Sequence, residues 1–222
     1  SNCFELDDVS MLGNCKKLEL CNCHKITDVS YLGNIPYLDL SHCDNILDIL
    51  QLGNHTYLNL KGTNISNISN LNNVKVLDIS YNYNIYDISA LKNVYNLDIS
   101  YCLNVQLNTN MYNNIFTAEH VNLVDDDITY LKNINTLNLS KNNYISDLSP
   151  LIKTKNLDIR QCKNIRVLPY NTLLDYLNVS SENYYGNLVN LDISFCLEIE
   201  LNTTMNNTIF TAENTNLVDE DI

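Results

Sequence analysis

Residues 33–46 read GNIPYLDLSHCDNI, residues 53–65 read GNHTYLNLKGTNI, and residues 73–85 read NVKVLDISYNYNI. Each holds two apolar residues spaced two apart around a polar one: Leu38-Asp39-Leu40, Leu58-Asn59-Leu60, Leu77-Asp78-Ile79. That spacing puts both apolar side chains on one face of a short strand and turns the middle one to the other face. The same triplet recurs as Leu18-Glu19-Leu20, Leu97-Asp98-Ile99, Leu137-Asn138-Leu139, Leu157-Asp158-Ile159, Leu177-Asn178-Val179 and Leu191-Asp192-Ile193. The step is close to 20 residues, except for a double step across an irregular unit between Leu97 and Leu137 and a much shorter one between Leu177 and Leu191. A strand this short cannot bury its apolar face alone. Stacked copies can, each rung covering the next.

The full unit is L-x-[LI]-x-x-[CN]-x-x-I-x-D-[IV]-S-x-L-x-N. IPYLDLSHCDNI (35–46) and NVKVLDISYNYNI (73–85) resemble the leucine-rich-repeat consensus L-x-x-L-x-L-x-x-[NC]-x-x-[LI], and the likeness runs over essentially the whole chain. The resemblance implies an α/β solenoid, a right-handed superhelix with a parallel concave sheet of about 11 short strands. So short a unit leaves room for only about one helical turn, so 3₁₀ turns or bare loops are expected on the convex side. The unit is most similar to the internalin-like and phosphatase-regulator-like branches. Residues 1–222 read as one array, opening and ending inside a repeat like a piece of a longer one.

Past most of the strands comes a position held by Cys or Asn: Cys3, Cys23, Cys43, Asn82, Cys102, Asn142, Cys162 and Cys196. Their equivalence makes a structural ladder rather than pairs, so buried thiols in a reducing, intracellular setting are expected; disulfides in a secreted chain are the alternative. Cys15, Cys21, Cys23 and His24 lie close enough to raise zinc, but a paired C-x-x-C is missing and no metal is expected. The returning segment carries Asp8, Asp28, Asp48, Asp87, Asp127, Asp147 and Asp221, with Asn67 once. These suit a turn start whose carboxylate accepts backbone N–H groups. Calcium between them is the rival reading, and the glycines of calcium-binding turns are missing.

Residues 97–128 and 191–222 are identical at 22 of 32 positions, an internal duplication at an offset of 94. Inside that block the period fails. Strict register puts Thr117 and Glu119 on the core face, so the expectation is that the strand slips to Val121-Asn122-Leu123 or the rung opens into a loop.

Composition narrows the function. The chain has 222 residues, 45% hydrophobic, with a formal net charge of −13. That is ample for a core, and no apolar run reaches the roughly 18 residues of a membrane span. The negative charge argues against nucleic acid as a partner. No glycine-rich phosphate loop or H-E-x-x-H occurs, and His24, His42, His55 and His120 are scattered, so no enzyme and no cofactor is expected. Asparagine is abundant, at 39 residues, against Gly 5 and Pro 3. That bias points to an AT-rich genome such as a large DNA virus, a protist or a low-GC bacterium.

The resemblance implies a protein partner held on the concave face by a monomeric chain. The tyrosines Tyr37, Tyr57, Tyr81 and Tyr101, flanking Asp39, Asp78 and Asp98, are the candidate contacts. The rival is that the Asp column is merely the solvated part of a copied repeat. Asp98 is expected to be exposed, and the Asp78–Asp98 pair to be a like-charge contact between neighbouring strands. Three further roles stay open: the substrate-recognition arm of a ubiquitin ligase, an extracellular adhesin, and a structural spacer.

Overall fold

A computed structural model describes residues 5–46 and 48–165, and beyond them the backbone of strands at 176–179, 190–192, 198–201 and 209–211. The chain divides into two compact units, Ser1–Leu107 and Asn108–Ile222.

In the first unit, β1 (Lys17–Glu19), β2 (Tyr37–Asp39), β3 (Tyr57–Asn59), β4 (Val76–Asp78) and β5 (Asn96–Asp98) are three residues each. They pair in parallel in chain order, with Leu18, Leu38, Leu58, Leu77 and Leu97 in register. Leu38, Leu40, Leu58, Leu60, Leu77 and Ile79 are buried, so the L-x-L reading of inside and outside holds. This is the leucine-rich-repeat architecture, rung upon rung.

Each strand ends in a corner. The residue four past the first leucine takes a left-handed backbone: Asn22 (φ 58°), His42 (58°), Gly62 (61°), Tyr81 (60°) and Tyr101 (62°). Only one of the five is glycine, and this conformation costs a side-chain-bearing residue about 1–2 kcal/mol. The next rung holds it in place: the N–H groups of Asn22, His42, Gly62 and Tyr81 donate to the carbonyls of Ser41, Lys61, Ser80 and Ser100 at 2.7–2.9 Å.

Beyond the corner the ladder residues are buried. Cys43 Sγ donates to Leu20 O (3.0 Å) and Cys102 Sγ to Ile79 O (3.2 Å), each the carbonyl at the end of the preceding strand. Asn82 does more. Its Nδ2 donates to Leu60 O and Ile79 O (both 2.8 Å), while Oδ1 accepts from the N–H groups of Thr63 (3.1 Å) and Ile65 (3.2 Å). Cys3 and Cys196 lie outside the described residues.

The chain returns through 3₁₀ turns at Ser10–Leu12, Ser30–Leu32, Leu71–Asn73 and Ser89–Leu91. Before them Asp8, Asp28 and Asp87 accept the N–H of the serine two residues on at 2.8–2.9 Å, and Asn67 that of Ser69 at 3.2 Å. Asp48 accepts from Leu50 in the same way, at 2.9 Å. Rungs approach closely here: a Cβ on Gly53 would lie 2.4 Å from Asn70 O, so only glycine fits. Asn45 Nδ2 reaches back to His24 O (2.7 Å) and Asn104 Nδ2 to Tyr83 O (2.8 Å), which gives part of the asparagine excess a structural use.

In the second unit, β6 (Ile115–Thr117), β7 (Thr136–Asn138), β8 (Asn156–Asp158) and β9 (Tyr176–Val179) stack in parallel with Phe116, Leu137, Leu157 and Leu177 aligned. Both expectations for the irregular rung are corrected. The strand neither slips nor opens. The step into it is one residue short, so Phe116 and Ala118, both fully buried, take the two core positions. Phe116 fills the space of the leucine, and Ala118 leaves room for it. One true α-turn, α1 (Asp125–Ile128), follows, with Asp127 Oδ2 accepting the Val124 N–H at 2.9 Å.

The rung expected at Leu191 is also placed differently. β9 pairs with β11 (Glu198–Leu201), while β10 (Asn190–Asp192) pairs with β12 (Ile209–Thr211). The 14-residue step from Leu177 to Leu191 is too short for one circuit. The duplication is visible in the strands: NLD and IFT form strands at 96–98 and 115–117, and again at 190–192 and 209–211. Asp221 lies outside the described residues.

Candidate functional site

The strand face of the first unit carries the candidate residues. Tyr37 and Tyr57 open β2 and β3 in register, and their rings stack with centroids 4.2 Å apart and planes within 4°. Lys17, one rung before in the same column, places Nζ 4.5 Å from the Tyr37 centroid. Tyr81 and Tyr101 stand instead at the left-handed corners after β4 and β5, stacked at 4.4 Å and 14°. Lys61 Nζ lies 4.8 Å from the Tyr81 centroid. The four tyrosines are therefore two separate pairs, one at the strand starts and one past the strand ends, each capped by an ammonium group. All four are half-buried. Offset aromatic pairs and cation–ring contacts of this kind are worth about 0.5–1.5 kcal/mol each.

Sequence reasoning missed Lys17 and Lys61. The signal for Lys17 was its place one rung before Tyr37 in a column that becomes a stack once the strands are in register. Burial pushes the Tyr57 hydroxyl up to about 12, with the neighbouring Tyr37 hydroxyl and the Asp39 and Asp78 carboxylates adding to it.

Between the two stacks runs the carboxylate column. Asp39, Asp78 and Asp98 accept through Oδ1 the N–H groups of Ser41 (2.9 Å), Ser80 (2.8 Å) and Ser100 (2.8 Å). Asn59 and Asn138 do the same for Lys61 (3.0 Å) and Ser140 (2.9 Å). The column is Asp or Asn because either side chain can hold the turn out of the strand. This corrects the expectation of an exposed, merely solvated Asp98, which is half-buried and bonded. Burial raises its carboxyl pKa most; the hydrogen bonds from Ser100 oppose the rise, the facing Asp78 adds to it, and Lys61 opposes it weakly. Asp78 and Asp98 are direct register partners, the like-charge contact that the repeat spacing predicts.

The ladder is structural. Cys15, Cys21, Cys23, Cys43, Cys102 and Cys162 are thiols. Burial pushes Cys43, Cys102 and Cys162 up to about 12, which keeps them protonated as hydrogen-bond donors. In the second unit Asn142 repeats the Asn82 pattern, with Nδ2 on Ala118 O (2.7 Å) and Leu139 O (2.8 Å) and Oδ1 on the N–H groups of Val121 (3.1 Å) and Leu123 (3.2 Å). His24 Nδ1 meets Asp44 Oδ1 at 2.8 Å. Among the described residues no group of three or more His, Cys, Asp or Glu is arranged to hold a metal ion. Among them, too, no helix is long and apolar enough to cross a membrane. His55 was also missed. It stands in a core column with Ile35, Val74 and Val94, only 1% exposed, its Nδ1 against Ile35 O and its Nε2 without a partner.

No family model matches the chain, and no curated protein matches its sequence. Among solved structures it is similar to the internalin InlF of Listeria monocytogenes, at 21% identity over 96% of this chain and 73% of that one, with a TM-score of 0.47. The functional domain of InlJ from the same organism, described as including a cysteine ladder, matches at 19% identity over 96% of this chain, with a TM-score of 0.44; the chain spans 56% of its length. Internalin C2, also from Listeria monocytogenes, matches at 23% over 89% of this chain and 80% of that one, with a TM-score of 0.45.

Proposed function

We propose that the chain is a non-enzymatic protein-interaction module whose strand face grips an extended segment of another protein. The observation that carries this reading is the pair of tyrosine stacks, Tyr37/Tyr57 and Tyr81/Tyr101, half-exposed on a regular sheet. Stacked, cation-capped rings are already ordered, so a partner meets large contact surfaces at little entropic cost. Asp39, Asp78 and Asp98 between the stacks form a row of carboxylate acceptors for N–H or cationic groups. The array acts as a monomer, since repeat stacking leaves the face open. An intracellular setting is part of the proposal, supported by ladder cysteines that serve as hydrogen-bond donors. The composition adds a host-directed effector of a virus or parasite as its furthest extension.

The test is site-specific photo-crosslinking. A photoreactive residue replacing Tyr57 or Tyr101 is expected to capture one discrete partner, and the same residue at Tyr144, which is 65% exposed, is not. Equal capture at all three positions overturns the strand-face reading and favours a spacer.

A further inference from the structure

A second surface lies on the opposite side of the first unit, where the chain returns. Three consecutive turns, residues 7–13, 27–34 and 48–54, contain Asp7, Asp8, Asp28 and Asp48 and no Lys or Arg. The four carboxylates are exposed. Asp28 and Asp48 face each other in a parallel bridge. Beside them Met11 is 90% exposed, Tyr31 56% and Leu50 59%. Met11 and Tyr31 share one column; Leu50 stands in the neighbouring column, where Ser10, Ser30, Ser69 and Ser89 sit in other rungs. An exposed leucine at a serine position gains nothing for the turn, because the bond to Asp48 uses only the backbone N–H.

Leu50 separates two depressions. One, of ≈ 240 Å³, is lined by Asp28, Ser30, Asp48 and Gln51; the other, of ≈ 200 Å³, opens on Asp48, Asn67 and Asn70. Asp48 and Leu50 border both. An apolar row rimmed by carboxylates, with a depression bordered by Asp48 on each side, matches an amphipathic element that presents apolar side chains along one line and cationic ones beside it.

We infer that the turn face around Met11, Tyr31 and Leu50 docks a basic amphipathic helix of a partner protein, independently of the strand face. Its apolar side chains lie along Met11, Tyr31 and Leu50, and its Lys or Arg heads reach Asp28 and Asp48 through the two depressions. The chain's net charge of −13 draws such a segment in.

The test uses the 222-residue chain and synthetic peptides of about 18 residues, five helical turns. One peptide is an amphipathic Leu/Lys helix, one a Leu/Glu helix, and one a Ser/Lys sequence of the same charge as the first. Titration calorimetry is expected to show binding of Leu/Lys only. Leu50→Ser, which restores the residue found in equivalent turns, is expected to weaken it about tenfold, as for a lost buried leucine. Asp28→Asn with Asp48→Asn keeps the turn bond, as Asn67 does, and is expected to weaken it by a similar factor. Asp87→Asn with Asp147→Asn removes the same charge elsewhere and is expected to leave binding within about twofold. Circular-dichroism melts confirm that each variant is folded. Equal binding of Ser/Lys, an equal loss in the control pair, or unchanged binding by Leu50→Ser overturns the inference. So does loss of binding in a Tyr57→Ala, Tyr81→Ala chain, which would place the peptide on the strand face.

Discussion

Rungs closed by asparagine and rungs closed by cysteine solve the same problem with unequal means. At Cys102 a thiol makes one bond, to the Ile79 carbonyl. At Asn82 an amide ties two carbonyls and two N–H groups across two rungs. The rung before each asparagine has neither Cys nor Asn at its own ladder position; it has Thr63 or Val121. The asparagine supplies the partners that rung lacks. A buried amide is tolerated because both its donors and its acceptor are satisfied.

The comparison can be broken by mutation. Asn82→Ala is expected to cost about 3–5 kcal/mol in urea unfolding, because two N–H groups and two carbonyls lose a partner in the core. Cys102→Ala is expected to cost only about 1–2 kcal/mol, one weak bond and a small void. Equal costs would mean that the ladder acts by packing volume alone.

His55 tests the opposite case, a buried polar ring with one nitrogen unmet. Burial lowers its pKa below the ordinary 6.5. The unfolded chain therefore binds the proton first, and the stability tied to the neutral ring is present above pH 6.5 and lost as pH falls below it. His55→Val, matching the valines of that column, is expected to flatten this slope below about pH 6.5. An unchanged slope would assign it to other groups.

The smallest effect is expected at Asp98. Its raised pKa means that the charged form is disfavoured, so its contribution is present at low pH and lost as pH rises through the folded value. Asp98→Asn keeps the bond to the Ser100 N–H, as Asn138 does for Ser140, and removes the charge facing Asp78. It is expected to gain about 0.5 kcal/mol at neutral pH. A loss would show that the Ser100 hydrogen bonds and Lys61 together outweigh burial and Asp78.

The strands, their register and the ladder were legible in the sequence because each depends on one short triplet repeated at nearly constant spacing. The irregular rung was misread because strict counting ignores a one-residue deletion, which Phe116 and Ala118 absorb without moving the strand. The tyrosines were found, but not their separation into two stacks. Tyr81 and Tyr101 stand at left-handed corners that composition does not reveal, since glycine is absent there. Lys17 and Lys61 went unnoticed because a cation over a ring requires knowing which side chain lies on the next rung. The turn face around Leu50 was invisible for a related reason: one leucine among serines looks like variation until its exposure is known.

The ladder side chains that bridge two rungs do so in one direction among the described residues: Cys43, Asn82, Cys102 and Cys162 each reach back to the rung before. The stack is therefore polar in its dependence. Trimming a rung from the leading side leaves the next rung's thiol or amide without its acceptor, whereas trimming one from the trailing side leaves a buried carbonyl without its donor and, before an asparagine, two backbone N–H groups without an acceptor, the costlier loss. Unzipping is accordingly expected to start from the trailing edge and to move toward the amino terminus, one circuit at a time.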